Sequence, residues 1–141
     1  ESERRAQLAG EVARTPGSAS GALFADGKPA QIDTIEWFAS PADLARVMDW
    51  FRRQDSAAGI EARRILALNP GIAPATAQRF QYVGYKGGSE PGVINMTLLL
   101  QTKSGRWKVL TAGWNNPAAA LDEFRFIGLV NRAAELAAAA D

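Results

Sequence analysis

The pattern of apolar and polar positions divides the chain into a helical first half and a strand-rich second half. Between residues 41 and 67, apolar side chains recur at the three- and four-residue spacing of amphipathic helices. The clearest stripe consists of Leu44, Val47, Met48 and Phe51. From residue 79 the spacing changes to alternation, which is typical of β-strands.

Capping residues predict where the helices begin. Ser40 is followed by Pro41 and, three residues after the cap, by Asp43, which predicts a helix over 41–53. A second helix over 56–67 must end before Pro70, because the residue before a proline is disfavoured in the helical conformation. A short helix over 2–14 is also predicted, and 70–77 is expected to be a loop.

Three strands and a last helix are predicted after residue 78. Strand 79–86 should place Phe80, Tyr82 and Gly84 on one face, and strand 93–102 is apolar enough to be buried on both faces for part of its length. Strand 107–114 pairs back through a tight turn at 103–106. A helix over about 118–138 follows. Its expected inward residues are Ala120, Phe124, Ile127, Val130 and Ala134.

This order of elements predicts an α+β fold, in which an antiparallel three-stranded meander is covered by a long C-terminal helix. We expect residues 1–141 to form a single domain or fragment, mainly helical over 1–78 and built from sheet and helix over 79–141. Weak strand signals lie at 22–24 and 32–38, and Trp37 and Phe38 are expected to anchor the latter segment in the core.

Composition removes several classes of function. With 16 basic and 15 acidic residues the net charge is +1, so nucleic acid and anionic membranes are not predicted partners. The chain has no cysteine and no histidine, which excludes disulfides, thiol catalysis and a Ser-His-Asp triad. We predict no metal site and no cofactor. No apolar run approaches the roughly 20 residues that a membrane span requires.

Candidate chemistry lies in the segment 85–93, at the end of the first predicted strand. Lys86 is followed by Gly87, Gly88 and Ser89. A cation beside backbone that glycine leaves uncovered can hold an anionic substrate group against the edge of a sheet. These four residues are the predicted substrate-binding residues. An ordinary turn with a solvated lysine would give the same tripeptide.

From about Trp37 to its end, the chain resembles the last part of serine β-lactamases and penicillin-binding-protein-like hydrolases. In that fold a helical region leads to a strand that ends in Lys-Thr-Gly or Lys-Ser-Gly, and a hairpin and a long C-terminal helix follow. Here the corresponding parts are Lys86-Gly87-Gly88, the hairpin 93–114 and the helix 118–138. The resemblance implies that Lys86 helps to hold the substrate carboxylate and that Gly88 lets the substrate lie against the strand. It also implies that the Ser89 backbone N–H is an oxyanion-hole donor.

The chain departs from the pattern of this family in two ways. Gly87 stands where the family has Thr or Ser, so a hydroxyl contact to the substrate is missing, and Ser89 is the candidate to replace it. No Ser-x-x-Lys occurs anywhere, because the residues three positions before the four lysines are Ala25, Val83, Leu100 and Gly105. We therefore expect no catalytic residue in this chain, which would be the C-terminal portion of such a hydrolase and inactive alone.

The resemblance also bears on partners and location. It implies a small-molecule or peptide substrate for the assembled enzyme, and a periplasmic or secreted protein; the residues themselves leave the compartment open. Strand 107–114 would be an open edge, and open edges recruit further strands. We expect it to pair with segment 21–38, with a second copy, or with an N-terminal portion. The alternative is a non-catalytic α+β module for ligand binding or dimerisation, such as a nuclear-transport-factor-like cone.

Overall fold

The protein was analysed as a computed structural model, which describes residues 26–34 and 38–140. The predicted helix 2–14, the strand signal at 22–24 and the packing of Trp37 lie outside the described residues. Phe38 is exposed, so the expectation that it anchors the core is wrong, whereas Ile32 is buried.

The predicted α+β fold, with an antiparallel three-stranded meander and a long C-terminal helix, is confirmed. Within residues 26–34 and 38–140, three helices precede the sheet and one follows it. The elements are α1 (Pro41–Arg52), α2 (Ala57–Leu66), α3 (Pro74–Ala77), β1 (Phe80–Glu90), β2 (Val93–Thr102), β3 (Trp107–Asn115) and α4 (Glu123–Ala139). The short α3 lies within the segment that was expected to be a loop.

Local capping explains where α1 and α2 begin. The Ser40 hydroxyl accepts a hydrogen bond from the Asp43 N–H at 3.2 Å, and the Asp43 carboxylate accepts one from the Ser40 N–H at 3.0 Å. This is the predicted capping box. Ser56 caps α2 in the same way through the N–H of Gly59, at 3.2 Å. The guanidinium of Arg63 on α2 donates to the Phe51 carbonyl at 2.8 Å, which places a cation at the C-terminus of α1.

The sheet has the strand order β1-β2-β3, and all of its pairs are antiparallel. The β1–β2 register shifts between Phe80 and Tyr82, so these two residues do not share a face as predicted. Phe80 joins the core beside Val83, because an extra residue at a bulge reverses the alternation of a strand. Beyond the bulge, Tyr82, Gly84, Lys86 and Gly88 face α1 and α2, whereas Val83, Tyr85, Gly87 and Ser89 face α4.

The first strand extends further than the sequence predicted. It was expected to end at Lys86, but Gly88 pairs with Asn95 and Glu90 pairs with Val93. The turn to β2 consists only of Pro91 and Gly92, and Gly92 has a φ of +84°. Backbone pairing with β2 therefore holds the two glycines in an extended strand, although glycine by itself disfavours one.

The core lies between the sheet and α4. Leu98, Leu99 and Leu100 have no exposed surface, so the prediction that β2 is buried on both faces is confirmed. Leu98 and Leu100 pack towards Val130 and Ala134 of α4. Near the C-terminus of α4, the ammonium of Lys108 donates to the Ala137 carbonyl at 2.6 Å, which satisfies a terminal carbonyl group.

The start of α4 and part of its inward face were predicted wrongly. The helix begins at Glu123, where the Asp122 carboxylate caps it by accepting from the Arg125 N–H at 2.9 Å. Phe126, Val130 and Ala134 are the buried residues. Phe124 is 91% exposed and Ile127 is 38% exposed, and Ala120 is exposed before the helix begins. Val130 and Ala134 are buried as predicted, whereas Phe126 is buried in place of Phe124 and Ile127.

Of the helices among the described residues, none combines the length and the apolar composition that a membrane span needs.

Candidate functional site

The four predicted binding residues lie together on β1 but point to opposite sides of the sheet. Lys86 and Gly88 face α1, and Gly87 and Ser89 face α4, as the register with β2 requires. Each side of this segment borders a cavity. The backbone of Gly87 and Gly88 lines both cavities, so the two glycines form a thin wall between them.

The cavity on the first side, called here the α1 cavity, has a volume of about 610 Å³. All four apolar residues of the predicted α1 stripe line it, and Met48 is the most deeply buried of them. Lys86, Asn95, Thr97 and Asn115 provide its polar lining on the sheet side. An apolar space with a few polar groups on one wall is the usual composition of a small-molecule site.

Lys86 is exposed at the wall of the α1 cavity, and within the described ranges its ammonium donates only to the carbonyl of the next residue, Gly87. Among the described residues it forms no ion pair. By contrast, Lys103 donates to the Phe80 carbonyl at 2.8 Å and Lys108 to the end of α4, while Lys28 lies 3.4 Å from the Asp26 carboxylate. The charge of Lys86 is therefore available to an anion in the cavity.

The cavity on the second side, called here the α4 cavity, has a volume of about 260 Å³. Its polar side chains come from three parts of the chain, namely the loop before α3, the sheet and the first residue of α4. They are Asn69, Tyr85, Ser89 and Glu123. Within its described lining, Glu123 is the one charged group. The Ser89 hydroxyl is therefore on the side of the sheet opposite Lys86.

The tyrosine at position 85 explains why position 87 is a glycine. A Cβ atom on Gly87 would lie 2.0 Å from the Tyr85 hydroxyl oxygen and 2.9 Å from the Asn95 carbonyl oxygen. Gly71, which has a φ of +65°, packs against the same ring, and a Cβ there would lie 2.5 Å from its Cγ. The tyrosine ring thus occupies space that side chains at 71 and 87 would need.

Tyr85 was interpreted from the sequence only as a strand residue, so its part in this wall was missed. The signal in the sequence is weak: an aromatic residue two positions before a glycine, on the same face of a strand. Partial burial raises the pKa of its phenol above the usual value. Within residues 26–34 and 38–140 its hydroxyl makes no hydrogen bond, whereas the Tyr82 hydroxyl donates to the Arg63 carbonyl at 2.8 Å.

The outer edge of β3 has no neighbouring strand in the described part of the chain. Residues 26–34, which belong to the segment expected to pair there, form turns rather than a strand.

In the described ranges, no group of three or more His, Cys, Asp or Glu side chains has the arrangement of a metal site.

Comparisons with known proteins agree with this architecture. No protein-family model and no curated protein matches the sequence. Among solved structures, a beta-lactamase from Sphaerobacter thermophilus DSM 20745 is similar, with a TM-score of 0.53 and 25% sequence identity. The similarity covers 79% of this chain and 44% of that one, so this chain spans less than half the length of the beta-lactamase. The chain has a β-lactamase-like fold, and the elements described above form a part of it.

Proposed function

We propose that this chain supplies the substrate-binding edge of a serine hydrolase of the β-lactamase or penicillin-binding type, which transfers the acyl group of a β-lactam, peptide or ester. The observation that carries the proposal is Lys86, an exposed ammonium without an ion pair among the described residues. It stands on a two-glycine strand beside a cavity of about 610 Å³, within a β-lactamase-like fold.

The residues of the edge take different roles. The Lys86 ammonium holds a substrate carboxylate through charge-assisted hydrogen bonds. Gly88, where an added Cβ would meet no atom within 4 Å, leaves the strand open to a ligand that lies along it. The N–H of Ser89 is a candidate oxyanion-hole donor, and losing one such donor costs about 3–4 kcal/mol of transition-state stabilisation.

The attacking group comes from a polypeptide segment other than these 141 residues. A serine becomes nucleophilic at neutral pH only beside a base, and the sequence contains no Ser-x-x-Lys. The 44% share of the beta-lactamase that the chain spans is in keeping with this division. The isolated chain therefore binds a substrate weakly and does not turn it over.

Two measurements test this proposal. Incubation with a fluorescent penicillin should leave the chain unlabelled, while an active penicillin-binding protein in the same gel is labelled. Titration of the isotope-labelled chain with benzylpenicillin should shift the amide signals of residues 86–89, and Lys86→Gln should weaken the binding. Covalent labelling of the chain would refute the absence of a nucleophile. Unchanged affinity in Lys86→Gln would refute the role of the lysine.

We also propose that the outer edge of β3 pairs with a further strand, either from a second copy or from the segment that carries the nucleophile. Its backbone groups have no partner strand among the described residues, and such edges are templates for pairing. Light scattering across a concentration series tests the first source. A monomer at every concentration, with slow amide exchange along 107–115, would contradict pairing with a second copy.

The size and composition of the α1 cavity favour one alternative, a non-catalytic module that binds a small apolar acid. A volume of about 610 Å³ lies within the range of drug-sized sites. Decanoate is a suitable probe, because it carries a carboxylate for Lys86 and a chain for the apolar wall. Lysine-dependent binding of decanoate without any binding of benzylpenicillin would favour this module over the hydrolase.

A further inference from the structure

The two cavities beside the Gly87–Gly88 wall have opposite electrostatic character. Lys86 lines the α1 cavity, whereas the charged group in the described lining of the α4 cavity is the carboxylate of Glu123. Carboxylates are ionised near neutral pH. An anion is therefore favoured on the first side of β1, and a cation or a hydrogen-bond donor is favoured on the second.

The α4 cavity also presents neutral groups suited to a hydrogen-bonding ligand. The hydroxyl of Tyr85 lies over Gly87. The second hydroxyl is that of Ser89, the next residue after Gly87 on the same face of β1. Gly87 and Ser89 are two residues apart, which is about 7 Å along a strand. The hydroxyls of Tyr85 and Ser89 therefore border one small volume. The ring that carries the first hydroxyl packs against Gly71 and Gly87, which lack the Cβ atoms that would occupy its space.

From this arrangement we infer that the substrate carries an amine in addition to its carboxylate. The ligand passes around the outer edge of β1 at Gly87–Gly88, which has no neighbouring strand among the described residues, with its anionic group beside Lys86 and its amine in the α4 cavity. Tyr85 and Glu123 are the residues that contact the amine. This inference rests on the proposed function and narrows its substrates from acids and esters in general to molecules that bear both charges.

Tyr85 and Tyr82 provide a matched pair of substitutions. Removing the Tyr85 hydroxyl should alter ligand binding, because among the described residues that hydroxyl is not used within the protein. Removing the Tyr82 hydroxyl should leave binding unchanged, since it is bonded to the Arg63 carbonyl and lies on the other side of β1.

The experiment compares ampicillin with benzylpenicillin, which differ by a single amino group, using amide chemical shifts of the full chain to measure affinity. The wild-type chain should bind ampicillin at least about tenfold more tightly, as expected for one additional hydrogen bond to a charged group. Ampicillin, unlike benzylpenicillin, should also shift the signal of Glu123. In Tyr85→Phe and Glu123→Gln the preference should fall below about twofold, and in Tyr82→Phe it should persist. Thermal melts of each variant check that it is folded.

The outcomes separate this inference from the proposed function. The amine site is refuted if both penicillins bind equally to the wild type, or if neither Tyr85→Phe nor Glu123→Gln changes the ratio of their affinities. The proposed substrate-binding edge is not affected by that result. Lys86→Gln should weaken both ligands by a similar factor and leave their ratio intact. If neither penicillin binds to the wild type, the proposed function fails, and the inference fails with it.

Discussion

The two faces of β1 carry the same pair of residues, a tyrosine followed two positions later by a glycine, in different surroundings. On the face towards α1 and α2, the ring of Tyr82 lies over Gly84; on the face towards α4, the ring of Tyr85 lies over Gly87. The same short pattern therefore occurs once on each side of one strand.

The first pair is part of the framework of the fold. The Tyr82 hydroxyl donates to the Arg63 carbonyl at 2.8 Å, and its ring contacts Trp107 with the centroids 5.5 Å apart. Arg63 in turn holds the end of α1. The tyrosine thus connects β1 to α2 and, through Arg63, to α1.

The second pair borders a cavity instead. The Tyr85 ring packs against Gly71 and Gly87, and its hydroxyl reaches the space that Ser89 and Glu123 also line. In this strand, the tyrosine–glycine pair whose hydroxyl is covered by another element contributes to packing. The pair whose hydroxyl borders a cavity is available for binding. Substitutions on the two faces can test this difference.

The largest effect is expected from Gly84→Ala. A Cβ at this position would lie 2.4 Å from the Tyr82 hydroxyl oxygen, and the bond to Arg63 and the contact with Trp107 prevent the ring from moving. We expect a loss of about 3 kcal/mol in the free energy of unfolding, at the upper end of overpacking. Urea denaturation measures it, and a loss smaller than that of Gly87→Ala would contradict the assignment of Tyr82 to the framework.

Gly87→Ala should have the next largest effect. The added Cβ would collide with the Tyr85 hydroxyl, which can yield towards the cavity, and with the Asn95 carbonyl, which cannot because it is backbone. A loss of about 2 kcal/mol is expected in the same denaturation experiment.

The neighbouring Gly88→Ala is its matched control. An added Cβ at Gly88 would meet no atom within 4 Å, so the stability should stay within about 0.5 kcal/mol of the wild type. An equal loss in both variants would mean that glycine is needed for its backbone and not for the tyrosine ring.

The framework face was the easier part to predict, because short-range signals determine most of it. Ser40 and Asp43 gave the start of α1, and the turn at 103–106, with Gly105 at a φ of +90°, gave the β2–β3 hairpin. The predictions failed where distant contacts decide. The extent of β1 depends on pairing with β2, and the bulge near Gln81 depends on which side chains the core accepts.

Only half of the candidate site was visible in the sequence. A lysine beside two glycines made an anion site one of two interpretations, and an ordinary turn with a solvated lysine was the other. The part played by Tyr85 could not be predicted, because it depends on Gly71, fourteen positions earlier in a loop, and on Glu123 at the start of a helix whose first residue was misplaced.

A smaller contrast is expected when each hydroxyl is removed. Tyr82→Phe breaks a partly buried hydrogen bond and should lower the free energy of unfolding by about 1 kcal/mol. Tyr85→Phe removes a hydroxyl that bonds to nothing in the described part of the protein, so a change within about 0.5 kcal/mol is expected. Urea denaturation of both variants and of the wild type measures the two losses. A larger loss for Tyr85→Phe would place that hydroxyl in the framework.

The smallest effect concerns the titration of the two phenols. Burial raises the pKa of both tyrosines, and the positive charge of Arg63 opposes the rise only for Tyr82. The chain has two tyrosines, so Tyr82→Phe and Tyr85→Phe each leave one phenol to follow by ultraviolet absorbance. Both midpoints should lie above the ordinary value of about 10.

The sign of the effect on stability follows from the direction of these shifts. Because the folded state favours the neutral phenols, their contribution to stability is complete below about pH 10 and is lost as the pH rises through the folded pKa. The effect of salt on the titration midpoint should differ between the phenols on the two faces. Screening of Arg63 should raise the midpoint in Tyr85→Phe, where Tyr82 remains, relative to that in Tyr82→Phe. Equal responses to salt would mean that Arg63 does not act on the phenol of Tyr82, and the electrostatic difference between the two faces would then be lost.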